Sequence, residues 1–366
     1  MSRPRAVLWL CARNEAVGLI YVNARFLTQA LTGVQRYSLE ISLELRKQMP
    51  EIQFVAPRNI IQHEAAKALD VLKVGRRVGH AWEQLDLPSF LRSQGSPLLV
   101  NLANTAPLLY GNKLSTLHDI AFERFPQNFS WKFRLAYQLA TPRTIKTSKK
   151  VLTVSEFSKQ EICDVYKLAP ERVVVVPNAV SGEFKPLPVT PAEPYLLAVS
   201  SLNQQKNFHG LIDAFSLLQQ SSHKLYIVGS LNKNFADPGL VKKIEADSRI
   251  KLLGRVSDEQ LVELYSGASA FIYPSFYEGF GLPLVEAQAC DCPVITSNTA
   301  SLPEVGGDSV LYCSPHDVHD IAKQIQLLIS SPDLAQSLRA KGRANIARYS
   351  WAASASRLLQ VIREFQ

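Results

Sequence analysis

Residues 273–310 read YPSFYEGFGLPLVEAQACDCPVITSNTASLPEVGGDSV, and the order of elements inside this stretch decides the fold. Ala270, Phe271, Ile272 and Tyr273 lead into it as a short apolar run, which predicts a buried strand. Residues 276–282 form a loop with two glycines. Pro283 suits the first turn of a helix, where its missing N–H is not needed. Leu284, Val285, Ala287 and Ala289 carry that helix to about Cys290, and a new strand over 293–296 follows at once. Glu278 then lies in the loop leaving a strand's carboxyl end, and Glu286 in the first turns of the helix. Between them lie the backbone N–H groups of Phe280, Gly281 and Leu282, beside the positive end of the helix dipole. This is an anion cradle with a carboxylate on either side. Either acid alone reads as a solvated loop acid or a complement to the helix dipole. The spacing, the glycines and the strand-loop-helix context together favour a site.

The same alternation extends both ways from this stretch. Strands are expected at 195–199, 225–228 and 250–253, and helices at 208–219 and 258–266, with Lys206 in the polar loop 200–207. Helices at 317–330, 332–346 and 351–365 close the chain. In the first half, strands fall at 19–26, 52–56, 98–101, 114–117, 151–155 and 172–176, with helices at 34–48 and 156–166. Gly33 sits where the first strand hands over to a helix. There it either lets a phosphate approach backbone N–H groups or simply makes a turn. His118 follows a strand's carboxyl end, the ligand side of an open α/β sheet, although an isolated histidine is more often structural. Pro177, Pro186, Pro188, Pro191 and Pro194 mark an interdomain linker. The expected class is therefore α/β, with two doubly wound parallel-sheet domains, 19–180 and 181–349, facing a cleft. Residues 1–18 read as a non-core extension that only loosely imitates a signal peptide. Residues 350–366 read as a C-terminal helix returning toward the first domain.

Length agrees with two cores: 366 residues exceed what one ordinary core holds. No run of about 18 apolar residues exists to span a membrane. The five cysteines are scattered, which suits a reducing cytoplasm, and Cys290 and Cys292 read as small buried residues rather than metal ligands. Charge is uneven. Residues 1–180 hold 24 Lys and Arg against 14 Asp and Glu, and the remainder holds 16 against 18. Within 124–150 lie seven basic residues and no acid, interleaved with Phe125, Phe129, Trp131, Phe133 and Tyr137. Such a helix lies on an anionic membrane surface, or else turns its aromatics to the core.

Seven pieces now resemble a known family: TGVQRY (32–37), LHDIAF (117–122), VSEFSKQEI (154–162), VPNAV (176–180), SLNQQKNFHGLIDAF (201–215), LLGRVSDEQL (252–261) and EGFGLPLVEAQACDCPVI (278–295). They resemble, in order, the family 4 retaining glycosyltransferases of GT-B fold, and the last contains that family's Glu-x7-Glu signature. The resemblance implies a nucleotide-sugar site in the second domain and an acceptor site in the first. It implies that Glu278 faces the donor sugar and that Glu286 bonds the ribose. Lys206 and the amides of Phe280, Gly281 and Leu282 would hold the diphosphate, Gly33 would close on it, main chain near Val256 would meet the base, and His118 would touch the sugar or acceptor side. It further implies no metal, consistent with the lack of an Asp-x-Asp element. Two departures stand out: Ser201 replaces a frequent arginine, and Asp291 replaces a usual glycine in a left-handed turn.

TGVQRY and LHDIAF are similar to bacterial mannosyltransferases of lipopolysaccharide or exopolysaccharide synthesis. The expected donor is GDP-mannose and the expected acceptor is lipid-linked or an oligosaccharide, met by a cytoplasmic protein peripheral to the inner membrane. The alternatives are a UDP- or dTDP-linked donor, or a non-catalytic scaffold subunit, which the two retained signature acids disfavour. A phosphorylase needs a pyridoxal lysine and usually a longer chain, and no nucleic-acid motif accompanies the basic half.

Overall fold

The computed structural model describes residues 19–229 and 238–366. The expected extension, 1–18, lies outside the described residues. The first sheet has seven parallel strands: β1 (Ile20–Asn23), β2 (Gln53–Ala56), β3 (Leu72–Lys73), β4 (Leu98–Asn101), β5 (Lys113–Thr116), β6 (Lys150–Thr153) and β7 (Val173–Val175), in the order β3-β2-β1-β4-β5-β6-β7. The second has six: β8 (Tyr195–Val199), β9 (Lys224–Val228), β10 (Ile250–Gly254), β11 (Ala270–Tyr273), β12 (Val294–Ser297) and β13 (Leu311–Cys313), in the order β10-β9-β8-β11-β12-β13. All pairings are parallel. Central strands such as LLVN, YLLAV and AFIY are apolar almost throughout because helices cover both faces of a parallel sheet. The expected pair of doubly wound sheets is therefore present.

In each sheet the strand order reverses once, between β1 and β4 and between β8 and β11. Open α/β sheets bind ligands in the crevice outside such reversal points. The loops after β8 and β11 carry Lys206 and Glu278, so both arrive at the second crevice by topology alone. The Gly33–Gln48 helix follows β1 and faces the same space from the other side.

The last helix, Trp351–Arg363, lies against Gly33–Gln48, with the Tyr37 and Trp351 rings 5.9 Å apart. Ser354 Oγ donates to Pro177 O at 2.8 Å. Cys163, Cys290, Cys292 and Cys313 are all free and buried.

Residues 124–150 do not form one helix. Arg124 ends a short helix, Ala121–Arg124, and its guanidinium holds Glu161 at 2.6 and 2.7 Å. The longer helix runs Trp131–Thr147, and Lys150 already begins β6. Its aromatics divide: Tyr137 and the preceding Phe129 pack inward, whereas Trp131 is 67% exposed. Strands β3 (LK) and β13 (LYC) escape the sequence reading because they are short and largely unburied, so neither shows as an apolar run like the VVV of β7.

Candidate functional site

The loop between β11 and the Leu282–Ala289 helix is shaped by two glycines with different duties. Gly281 has φ +93° and caps the helix, and a side chain there would meet Leu302 Cδ2 at 2.6 Å. Gly279 is a place of close approach. A Cβ on it would stand 2.7 Å from the His118 carbonyl oxygen of the other half. The loop therefore fits directly against the residues that follow β5.

The opposite half also grips this loop. Gly279 O accepts from Ser155 Oγ at 2.6 Å and from Ser158 Oγ at 3.1 Å. Nearby, the Glu304 carboxylate accepts the Glu156 and Phe157 amides at 2.9 Å each, capping the Glu156–Tyr166 helix from across the cleft.

A cavity of about 740 Å³ opens between the halves. Gly33, His118, Lys206, Glu278, Phe280, Gly281, Leu282 and Glu286 all line it, so the fold brings eight of the nine sequence candidates together. Val256 does not line it and packs half-buried against the main core. Lys206 Nζ donates to Glu278 Oε1 and Oε2 at 2.7 and 2.8 Å. Glu278 is 7% exposed, so this pair is largely shielded from water. Among the described residues, the Phe280 and Gly281 amides donate to no acceptor, leaving the helix N-terminus open to an anion. A Cβ at Gly33 would meet nothing within 4 Å, so this wall is bare backbone.

Glu286 is buried. Desolvation pushes its pKa up from 4.5 to about 7, and the Arg36 charge opposes that rise. Arg36 itself donates from Nη2 to both Asp258 oxygens at 2.7 Å, joining the two halves at the cavity rim. His118 is also buried. Burial lowers its pKa to about 4, and its Nε2 lies 3.0 Å from Leu102 O. A carbonyl only accepts, so Nε2 carries the proton and Nδ1 is left as an acceptor on a neutral ring.

Arg36 and Asp119 also line the cavity, and the sequence reading singled out neither. Arg36 stands one helical turn after Gly33, which is the signal that could have found it. Asp119 has a carboxyl whose pKa burial raises, with Lys206 pulling it down and Glu278 pushing it up. Asp291 takes φ +58°, the left-handed turn expected of it, and its carboxylate holds Arg343 at 2.7 Å.

A family model described as "Glycosyltransferase Family 4" matches residues 31–184, and one described as "Glycosyl transferases group 1" matches residues 182–345. O-antigen chain mannosyltransferase B of Escherichia coli is 34% identical over 256 residues, covering 65% of this chain and 66% of the relative. O-antigen chain mannosyltransferase RfbU of Salmonella typhimurium is 31% identical over 250 residues, covering 68% and 69%. Among solved structures, Anabaena Alr3699/HepE in complex with UDP-glucose superposes with a TM-score of 0.77 at 16% identity, over 95% of this chain and 100% of that one. With two parallel sheets about a cleft, a Glu-x7-Glu loop at its centre and these relatives, the chain belongs to the family 4 glycosyltransferases of GT-B fold.

Proposed function

We propose that the chain is a retaining mannosyltransferase that moves mannose from GDP-mannose to a lipid-linked or oligosaccharide acceptor in bacterial surface-polysaccharide synthesis. The carrying observation is the convergence of Lys206, Glu278, Glu286 and the open N-terminus of Leu282–Ala289 on one cavity at a sheet reversal. Kinship with the two O-antigen mannosyltransferases supports the choice of sugar.

Glycosyl transfer builds positive charge on the sugar and negative charge on the departing diphosphate. Lys206 and the Phe280, Gly281 and Leu282 amides would take that negative charge, which a fixed cation and preorganised dipoles stabilise without reorganisation. Gly33 would let the phosphates approach from the first domain. Glu278, already tied to Lys206, would sit beside the oxocarbenium-like carbon. Glu286 as carboxylate would accept the ribose hydroxyls. His118, neutral near pH 7, would accept a sugar hydroxyl at Nδ1 rather than deliver a proton. No protein-bound metal is called for in this scheme.

The Trp131–Thr147 helix would bring the enzyme to its acceptor. Trp131, Leu135 and Leu139 recur every four residues and are 67, 51 and 70% exposed, with Lys132, Arg143 and Lys146 alongside. That face suits an anionic lipid surface. Among the described residues no helix is long and apolar enough to cross a membrane.

The deciding experiment is a binding and hydrolysis panel of GDP-mannose, UDP-glucose, UDP-N-acetylglucosamine and a dTDP-sugar. Preference for GDP-mannose, with an α-configured product by NMR, is expected. Preference for a UDP- or dTDP-sugar would overturn the donor assignment, and no binding by any would overturn catalysis.

A further inference from the structure

Arg36 follows Gly33 by three residues on the Gly33–Gln48 helix, so both open onto the space between the halves, and Arg36 lines the same cavity as Glu286. Its side chain is only 12% exposed. A guanidinium stays charged at any ordinary pH, so such enclosure requires acids around it. Nη2 donates to both Asp258 oxygens at 2.7 Å, and Nη1 lies 3.8 Å from Glu183 Oε2. The guanidinium also stands 5.6 Å over the Phe184 ring. These partners differ in their need for it. The side chains of Asp258 and Glu183 are 33 and 70% exposed, so water screens and solvates them. Glu286 is buried and has no such help. Charge acts most strongly where water is excluded, so the acid that depends most on Arg36 is Glu286, although the hydrogen bonds go to Asp258.

Three segments bring charged or titratable groups to Glu286. The Gly33–Gln48 helix brings Arg36, whose charge favours the carboxylate. The Asp258–Gly267 helix brings Asp258, which disfavours it, and the Tyr265 hydroxyl, which favours it. Just beyond Glu286's own helix stands the Cys290 thiol, pushed up to about 12 by burial and then by the Glu286 charge, and therefore neutral. Tyr265 is held by ring contacts to Phe184 at 6.4 Å and Phe271 at 5.3 Å. Its buried hydroxyl closes no hydrogen bond of good geometry among the described residues, so it steadies Glu286 only weakly. Arg36 is the one cation acting on Glu286 among the described residues, and it comes from the opposite half.

We propose that Arg36 is a positioning residue, lent by the first half, that holds Glu286 in its carboxylate form for the donor and divides its charge between Glu286 and Asp258. This rests on reading Glu286 as the acceptor of the ribose hydroxyls. A carboxylate accepts from both hydroxyls of a ribose edge, whereas a protonated carboxyl brings an O–H of its own and spoils one of the two bonds. Asp258 then acts as a counterweight: it fixes the guanidinium in place and draws off part of its charge.

The test uses Arg36→Met and Asp258→Asn in the full chain, because both break the same contact between the halves yet change the charge near Glu286 in opposite directions. GDP affinity is titrated from about pH 6 to 9. Wild-type affinity should fall as Glu286 takes up its proton, with a midpoint near its pKa of about 7. Arg36→Met should raise that midpoint by about one pH unit, so that affinity drops several-fold at pH 7 and recovers by pH 9. Arg36→Lys should restore most of the shift. Asp258→Asn should lower the midpoint and strengthen binding below pH 7. A loss in Arg36→Met that persists at pH 9 overturns the proposal, because a direct nucleotide contact or a strut between the halves is insensitive to pH. Midpoints that move the same way in both variants overturn it too. If Arg36→Met does not fold, Asp258→Asn decides alone, and a midpoint that stays or rises is refuting. Melts of each variant with and without Glu286→Gln follow the same proton without a donor, and the pH at which glutamine ceases to stabilise should move with the midpoint. If GDP binds at no pH, the ribose reading fails, and unshifted melts would still reject the role of Arg36.

Discussion

Replacing Glu286 by glutamine should stabilise this protein while destroying its use of a donor. Burial moves the Glu286 pKa from 4.5 to about 7. Each pKa unit is worth about 1.4 kcal/mol, so the ionised side chain costs the folded state roughly 3 kcal/mol above pH 7. The sign follows from proton counts. Between pH 4.5 and 7 the folded chain binds a proton that the unfolded chain does not. The penalty is therefore complete above pH 7 and relieved as pH falls toward 4.5. Glutamine keeps the shape and removes the charge. At pH 8, Glu286→Gln should raise Tm by about 4 °C if the chain unfolds as one unit, and about twice that if the second half unfolds alone. The gain should shrink steadily as the melts are repeated down to pH 5. Over the same range wild-type donor affinity should weaken below pH 7, approaching tenfold per pH unit, as the carboxylate proposed to bind the ribose takes up its proton. The variant should bind GDP poorly at every pH. Calorimetry and a nucleotide titration at four pH values suffice. A Glu286→Gln chain less stable than wild type at pH 8, or a stability difference independent of pH, refutes the reasoning.

Other substitutions separate binding from folding. Gly33→Leu adds a side chain into empty space at the start of a helix, so Tm should hold or rise while donor affinity drops at least tenfold; unchanged affinity would remove Gly33 from the phosphate site. Lys206→Ala should weaken donor binding about 10- to 100-fold, the worth of a hydrogen bond to a charged group, and an unaltered Kd would exclude it from the diphosphate. Glu278→Ala should cut transfer by about 100-fold or more with GDP binding largely retained; wild-type turnover would end its catalytic assignment. Leu135→Glu with Leu139→Glu should abolish flotation with anionic liposomes and spare hydrolysis of soluble donor, and unchanged flotation would move membrane contact elsewhere.

Much of this architecture was legible because local signals and topology agree. The apolar runs of β8 and β11, each followed by a polar or glycine-bearing loop, announce both the sheet and its ligand side. Glu278 and Glu286 could be paired from spacing because a loop and a helix start fix their separation. Arg36 could not be assigned in the same way. Its partners, Asp258 and Glu183, come from 222 and 147 residues away, and no periodicity relates them. Buried Glu83 was invisible for the same reason: its partners Asn23 and Arg25 lie 60 and 58 residues away. The long basic stretch misled in extent, since Pro126 and the start of β6 at Lys150 cut it at both ends.

The Glu278 loop does not belong to its own domain alone. Its Gly279 carbonyl hangs on Ser155 and Ser158, its backbone rests on His118, and Glu304 beside it caps a helix of the first half. Any parting of the halves must therefore release the loop as well. A parted second half would keep Glu278 on Lys206, but the loop that carries Glu278 would lose its support from Ser155 and Ser158. On the proposed function, an activated sugar that entered such an enzyme would be bound without being broken down. Water, which is always present, would thereby be denied the role of acceptor until the two halves met.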